Sequence, residues 1–243
     1  MKANIARQMG GQICALINDG QVEGAVQLIT PTLQSPNLFS TLDRVGEVVG
    51  TASLELAEPF FIRLAAERYM GSWVIIASAL RCHLPTELEC ALADCLEYII
   101  QADVWYATDI FGERVTGPAL LVDFHPALKI LSAWREDPNR WVRRCVGVAM
   151  HLWAKRTRGA AATADQAREL LHFLEPAFEE SNQDAVKGIG WGLKTMGRYY
   201  PELATAWLYE QLITLHRQPR PLMLRKALSY LPPEQKIRIT GRH

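Results

Sequence analysis

The spacing of apolar residues is the feature that most limits how this chain of 243 residues can fold. Segments such as 88–100 and 142–153 place apolar residues three and four positions apart, and no segment alternates apolar and polar residues over the length of a strand. Glycine and proline interrupt this pattern at short intervals, for example at Pro59, Pro138 and Gly159. The pattern predicts moderate-length helices joined by short turns.

A regular series of helix pairs is typical of stacked helical repeats, which form a curved α-solenoid with a concave binding face. We therefore expect an all-α fold of antiparallel helix pairs, with an irregular helical bundle as the alternative. No Gly-rich turn joins a strand to a helix, so a nucleotide-binding α/β fold is not expected. No segment has the composition of an interdomain linker, and this predicts one domain over residues 1–243.

Composition excludes several classes of protein. With 49% hydrophobic residues and a net charge of zero, the chain is neither disordered nor a highly basic nucleic-acid-coating protein. It has no uncharged apolar run of membrane-spanning length and no secretory signal, so no membrane partner is expected. Its five cysteines include no CxxC pair, which favours free thiols in the cytoplasm and predicts neither a metal site nor a cofactor.

Charge is divided into blocks along the chain. Residues 1–134 and 159–216 are acidic, whereas residues 135–158 carry 7 Lys+Arg against 2 Asp+Glu and residues 217–243 carry 7 against 1. Two basic blocks on an otherwise acidic chain indicate a localised contact with a polyanion. The alternative is that these blocks are solvated helix faces and a basic tail.

Three segments combine aromatic and charged residues. In the first, Trp105 and Asp109 are four positions apart, so on a helix they lie on one face. A carboxylate beside an indole is partly desolvated and can stabilise a nearby cation. The alternative is a core tryptophan beside a solvent-facing aspartate.

In the second, we expect Pro138 to open a helix with a buried stripe of Trp141, Cys145, Val148 and Leu152. Arg144 lies beside that stripe, where packing could hold it while its guanidinium reaches a phosphate. Arg140 and Arg143 are expected nearer to solvent. The alternative for Arg144 is a salt bridge to a neighbouring helix.

A third segment places Gly188, Gly190 and Gly192 around Trp191. Glycine inside a helix costs about 1 kcal/mol relative to alanine, so these positions need a reason. Close helix packing around a core indole, or the close approach of a ligand, would supply one.

Together, in this order, the three segments resemble the AlkD-like DNA alkylation repair glycosylases, which are built from HEAT-like repeats. The family has a tryptophan and an aspartate four apart, then an arginine in a W-x-R-R helix, then the tryptophan of an IGW segment. Here these are Trp105 and Asp109, Arg144, which lies 35 residues later, and Trp191. Residues 224–228 (LRKAL) are similar to the family's C-terminal Arg-x-Ala helix, and residues 1–44 match the family poorly.

The resemblance implies hydrolysis of the N-glycosidic bond of a cationic N3- or N7-alkylated purine in double-stranded DNA, without base flipping. It implies that Asp109 stabilises the cationic sugar and positions water, with Trp105 and Trp191 packing against the deoxyribose. It also implies a monomer that works without a cofactor, in the cytoplasm and associated with the nucleoid. The side chains expected to contact DNA are Arg140, Arg143, Arg144, Lys155, Arg156, Lys187 and Arg225.

Two other functions stay open. The family pattern W-D-x-V-D is Trp-Tyr-Ala-Thr-Asp at residues 105–109, and this departure favours a non-catalytic relative that binds branched or distorted DNA. A helical-repeat scaffold for a protein partner would use the same charge blocks against an oppositely charged surface.

Overall fold

The computed structural model describes residues 2–241, and most of them are helical. No β-strand occurs among these residues, and the predicted all-α fold class is confirmed. The helices in chain order are α1 (Ala3–Asn18), α2 (Val22–Leu33), α3 (Phe39–Val49), α4 (Leu54–Ala66), α5 (Met70–His83), α6 (Leu88–Ala102), α7 (Trp105–Phe111), α8 (Gly117–Val122), α9 (Phe124–Arg135), α10 (Arg140–Thr157), α11 (Ala164–Phe173), α12 (Gln183–Tyr199), α13 (Pro201–Tyr209), α14 (Pro221–Leu228) and α15 (Pro233–Thr240).

The chain divides into two compact units, Met1–Val115 and Thr116–His243. In the first unit, α1, α3, α5 and α7 pack side by side in chain order. The helices between them, α2, α4 and α6, pack on one another and on this layer. Helices that alternate between two layers in this way are the arrangement expected of helical repeats.

The second unit repeats the same plan. One layer contains α8, α10, α12 and α14, each packed on the next, and the other contains α9, α11, α13 and α15. The short turns that join the layers match the interruptions in the sequence pattern. One domain over residues 1–243 and the curvature of a solenoid stay predictions.

Several of the prolines that the sequence marks as interruptions are placed differently in the structure, among them Pro31, which lies inside α2. Pro59 lies inside α4 rather than between helices, because Phe60 and Phe61 beside it are completely buried and their packing offsets the roughly 3 kcal/mol that an internal proline costs. Pro138 does not open α10. Asn139 caps that helix instead, since its side-chain oxygen accepts a hydrogen bond from the backbone N–H of Trp141 at 2.8 Å.

Helices α10 and α12 approach each other through glycines. A Cβ atom on Gly192 would lie 2.7 Å from the carbonyl oxygen of Gly147, and one on Gly188 would lie 2.6 Å from Cγ of Arg144. Both distances are shorter than a van der Waals contact, so the two backbones are closer than any side chain would allow. Close helix packing is therefore the reason for Gly188 and Gly192, as one of the two sequence interpretations predicted, but the indole of Trp191 between them is half-buried rather than in the core.

The helix contact predicts a specific loss of stability. We expect Gly188→Ala to lower the free energy of unfolding by about 1–3 kcal/mol, because α12 must move away from α10 to admit the methyl group. The matched control is Gly11→Ala in α1, where an added Cβ meets no atom within 4 Å. This control should raise stability by about 0.5–1 kcal/mol through helix propensity. Urea unfolding measures both, and equal effects of the two substitutions would contradict the close contact.

Candidate nucleic-acid interface

Trp105 and Asp109 lie one turn apart on α7, as predicted. Trp105 is the first residue of the helix and is 54% exposed. Its ring packs edge-on against the ring of Tyr106, with 5.8 Å between the ring centroids. Asp109 is half-buried. The interpretation of Trp105 as a core tryptophan is therefore wrong, and α7 offers an indole and a carboxylate together at its surface.

The end of α7 is anchored by an ion pair that the sequence did not reveal. Residues Gly112–Thr116 form a π-helical turn directly after α7, and the guanidinium of Arg114 in this turn donates to both carboxylate oxygens of Asp43 on α3, at 2.6 and 3.2 Å. The hydroxyl of Ser78 on α5 donates to the same carboxylate at 2.8 Å. Short π-helical turns occur often beside functional sites, and here two helices of the first unit, α3 and α5, support the turn through the carboxylate of Asp43.

Arg144 is buried on α10, with 7% of its surface exposed. The predicted stripe of Trp141, Cys145, Val148 and Leu152 is buried beside it. The guanidinium donates to the carbonyl oxygen of Asp184 at 3.2 Å, across the gap to α12. Packing therefore holds this side chain, as the sequence predicted.

Arg143 is placed differently from the prediction that it points toward solvent. Its side chain is 19% exposed and donates to the carboxylate of Glu180 at 2.6 Å and to the carbonyl oxygen of Asp137 at 2.6 Å. Burial raises the pKa of Glu180, but the hydrogen bonds from Arg143 and the backbone of Asn182 outweigh it, and the net pKa is lowered. Arg143 thus holds the start of α10 in place and its charge is already compensated.

The remaining cations of the prediction are exposed to different degrees. Arg140 is 45% exposed, lies 4.8 Å from the ring of Trp141 and is 3.9 Å from the carboxylate of Asp184. Lys187, also on α12, donates to the same carboxylate at 3.1 Å. Asp184 is therefore the point on α12 to which Arg140, Arg144 and Lys187 all converge.

The ends of α10 and α14 carry further exposed cations. Lys155 and Arg156 lie in the last turn of α10, where a positive charge interacts favourably with the helix dipole. Arg225 is exposed on α14. Arg217 and Arg220 in the C-terminal basic block instead donate to the carbonyl oxygens of Glu175 and Ser181. Part of that block is therefore structural, and its Arg242 lies outside the described residues.

Trp191 on α12 stacks against a histidine that sequence reasoning missed. The centroid of the His151 ring on α10 lies 3.9 Å from the centroid of the indole, with 25° between the ring planes. His151 is 7% exposed, and its Nδ1 is 2.7 Å from the hydroxyl of Thr195. The sequence feature that could have identified His151 is its position seven residues after Arg144, which places both side chains on one face of α10.

One face of α12 combines cations with aromatic rings. Lys187, Trp191, Lys194 and Arg198 recur at intervals of four, three and four residues, so they form one stripe along the helix. Lys194 lies 4.3 Å and Arg198 5.4 Å from the ring of Tyr230, which is 46% exposed. A stripe of this kind can bind a phosphate backbone and stack on sugars or bases.

Two structural features, a cluster of metal-binding side chains and a membrane-spanning helix, are absent from the part of the chain that the structure describes. Residues 2–241 contain no group of three His, Cys, Asp or Glu side chains arranged to hold a metal ion. Over the same residues, no helix combines the length and the apolar character needed to cross a lipid bilayer.

The burial of His151 predicts a dependence of stability on pH. Burial, and next the positive charge of Lys155, lower its pKa to about 4, from about 6.5 in the unfolded chain. Between these values only the unfolded chain takes up the proton. The contribution of His151 to stability is therefore complete above pH 6.5 and is lost as the pH falls toward 4, by about 3 kcal/mol in total.

His151→Gln removes this titration, so its free energy of unfolding should fall less than that of the wild type between pH 6.5 and 4. Urea unfolding at a series of pH values measures the difference. The matched control is His125→Gln, which removes a histidine side chain that is 75% exposed. If His151→Gln loses as much stability as the wild type over this range, the account of a buried neutral imidazole is wrong.

The comparisons with known proteins agree with the resemblance drawn from the three segments. A family model described as DNA alkylation repair enzyme matches residues 67–231, which is more than half of the chain. Neither the curated proteins nor the solved structures gave a match. The matched residues include α7, α10, α12 and α14, which carry the expected site. The chain therefore belongs to the family of DNA alkylation repair enzymes.

Proposed function

We propose that this chain is a DNA glycosylase that hydrolyses the N-glycosidic bond of cationic N3- or N7-alkylated purines in duplex DNA, without flipping the base. The observation that carries the proposal is the surface of α7, where the exposed indole of Trp105 and the carboxylate of Asp109 lie on one face. The exposed indole beside this half-buried carboxylate is accessible to a base that stays within the duplex.

The chemistry requires little from the protein because alkylation already gives the base a positive charge. The base leaves with the electrons of the glycosidic bond and becomes neutral, so no general acid is needed. The sugar becomes an oxocarbenium ion, which water attacks to give an abasic site. Asp109 stabilises that cation and orients the water, and Trp105 excludes bulk water and adds a cation–π attraction of about 0.5–2 kcal/mol.

The two residues that depart from the family pattern both have partners on α7 or at its N-terminus. Thr108, where the family has valine, is completely buried, and its hydroxyl donates to the carbonyl oxygen of Val104 at 3.2 Å. Its extra polar atom therefore has a partner, and its methyl group can pack as that of valine does. Tyr106, where the family has aspartate, packs on Trp105. The departure thus gives weaker support to a non-catalytic DNA-binding relative than the sequence alone indicated.

Double-stranded DNA is the proposed partner, bound by a monomer through the cations of the second unit. The carbonyl oxygen of Asp184 and the close packing of α12 hold the side chain of Arg144 in one place. A guanidinium held in this way is suited to bind a phosphate group of the DNA backbone. Arg140, Lys155, Arg156, Lys187 and Arg225 supply exposed charge. Arg143 is not proposed as a DNA contact because Glu180 already compensates its charge.

The first test of this function is Asp109→Asn. The substitution keeps the size of the side chain and removes its charge, so the rate of single-turnover excision of 7-methylguanine should fall by about 10²–10³. DNA affinity and melting temperature should change little, since a carboxylate does not attract phosphates. The matched control is Asp19→Asn at the end of α1, which should keep the wild-type rate. A fully active Asp109→Asn enzyme would remove Asp109 from the reaction.

The second test concerns DNA binding. Arg140→Gln combined with Lys155→Gln should flatten the dependence of log K on log salt by about one unit for each lost phosphate contact. The matched control is Lys129→Gln with Arg168→Gln, which neutralises two exposed cations on α9 and α11. Arg143→Gln should lower stability and leave the slope unchanged. Equal slopes for the first double variant and its control would contradict a DNA-binding face on α10.

A further inference from the structure

The indole of Trp191 is covered on one side by the imidazole of His151. The two rings belong to different helices, α12 and α10, and their centroids are 3.9 Å apart. Trp191 is half-buried, whereas His151 is 7% exposed. The buried imidazole of His151 thus forms the floor of the site, which is the inner surface against which the more exposed indole of Trp191 packs.

A hydrogen-bond chain fixes this floor to the helix that carries the tryptophan. The hydroxyl of Thr195 lies 3.0 Å from the carbonyl oxygen of Trp191, one turn earlier on α12, within hydrogen-bond distance. The same hydroxyl also forms a hydrogen bond with Nδ1 of His151, at 2.7 Å. His151 is tied at one edge to the backbone turn of Trp191 and covers the indole with its face.

We propose that His151 is a positioning residue that holds the indole of Trp191 in the orientation needed to pack against the sugar of the damaged nucleotide. The proposal rests on the glycosylase function proposed above and on the contact with the deoxyribose that the family resemblance implies for Trp191. His151 itself touches neither the base nor the sugar and acts through the indole.

The neutral form of the ring suits this role. Burial and the charge of Lys155 on the same helix keep the imidazole uncharged at neutral pH. On the Trp191 stripe of α12, the cations Lys187, Lys194 and Arg198 also disfavour a further positive charge. The carboxylate of Asp184, seven residues before Trp191, already accepts a hydrogen bond from Lys187 at 3.1 Å. The segment 117–122, which forms α8, has no ionisable residue. An imidazolium under the indole would repel the cationic substrate, and the neutral ring does not.

Two variants separate the stacking ring from the hydrogen bond. His151→Gln keeps a hydrogen-bonding group for Thr195 and removes the ring, whereas His151→Phe keeps a flat ring and removes the hydrogen bond. We expect His151→Gln to lower the single-turnover rate at saturating enzyme on the order of 10–100-fold, because a misplaced contact loses this much. The Kd for duplex DNA should stay unchanged, and His151→Phe should recover most of the rate. His125→Gln, at an exposed histidine, is the control and should keep the wild-type rate.

The same substitution in a Trp191→Phe background tests whether His151 acts through the indole. There, His151→Gln should cause no further loss of rate. A further loss as large as in the wild-type background would overturn the proposal, as would a wild-type rate in the single His151→Gln variant.

Near-UV circular dichroism of the free protein tests the orientation of the indole without any activity. The band that Trp191→Phe removes should also be lost in His151→Gln and kept in His151→Phe. If the wild type released no base, the glycosylase proposal would fail while this band would still decide whether His151 orients the indole. A band unchanged by His151→Gln would overturn the positioning role.

Discussion

The contact between the backbones of α10 and α12 is the constraint on which the rest of the second unit depends. Without side chains at Gly147, Gly188 and Gly192, the two helices come close enough for side chains beside the crossing to contact the opposite helix. Arg144 then meets the carbonyl group of Asp184, and His151 meets Trp191 and Thr195. A larger residue at the crossing would separate both sets of partners at once. The close packing of α10 on α12 therefore positions both Arg144, the proposed contact to a DNA phosphate, and Trp191, the proposed contact to the sugar.

Charge in this chain has two separate uses. Arg114 with Asp43, and Arg143 with Glu180, are ion pairs in which both side chains are less than a quarter exposed, and they join elements within a unit. Other cations, such as Lys155 and Arg225, are exposed and available to a polyanion. The zero net charge is thus compatible with a DNA-binding face, because acidic residues compensate the structural arginines and leave a smaller, localised excess of positive charge.

Local pattern was enough to predict the helical class, the buried stripe of α10 and the shared face of Trp105 and Asp109, because each depends on residues within a few turns of one helix. It failed where distant residues decide. Arg143 looked solvent-facing until Glu180, 37 residues later, was placed beside it. Pro59 looked like an interruption because its phenylalanine neighbours gain their packing from other helices. His151 was missed for the same reason, since its partners lie on α12.

The most direct test of the central claim is to incubate the wild-type protein with methylated duplex DNA and separate the products by chromatography. The account predicts free 3-methyladenine or 7-methylguanine and an equal number of abasic sites in the DNA, with the mass of the protein unchanged. DNA that is bound but keeps all its methylated bases would contradict the glycosylase claim and assign the chain to the non-catalytic DNA-binding relatives.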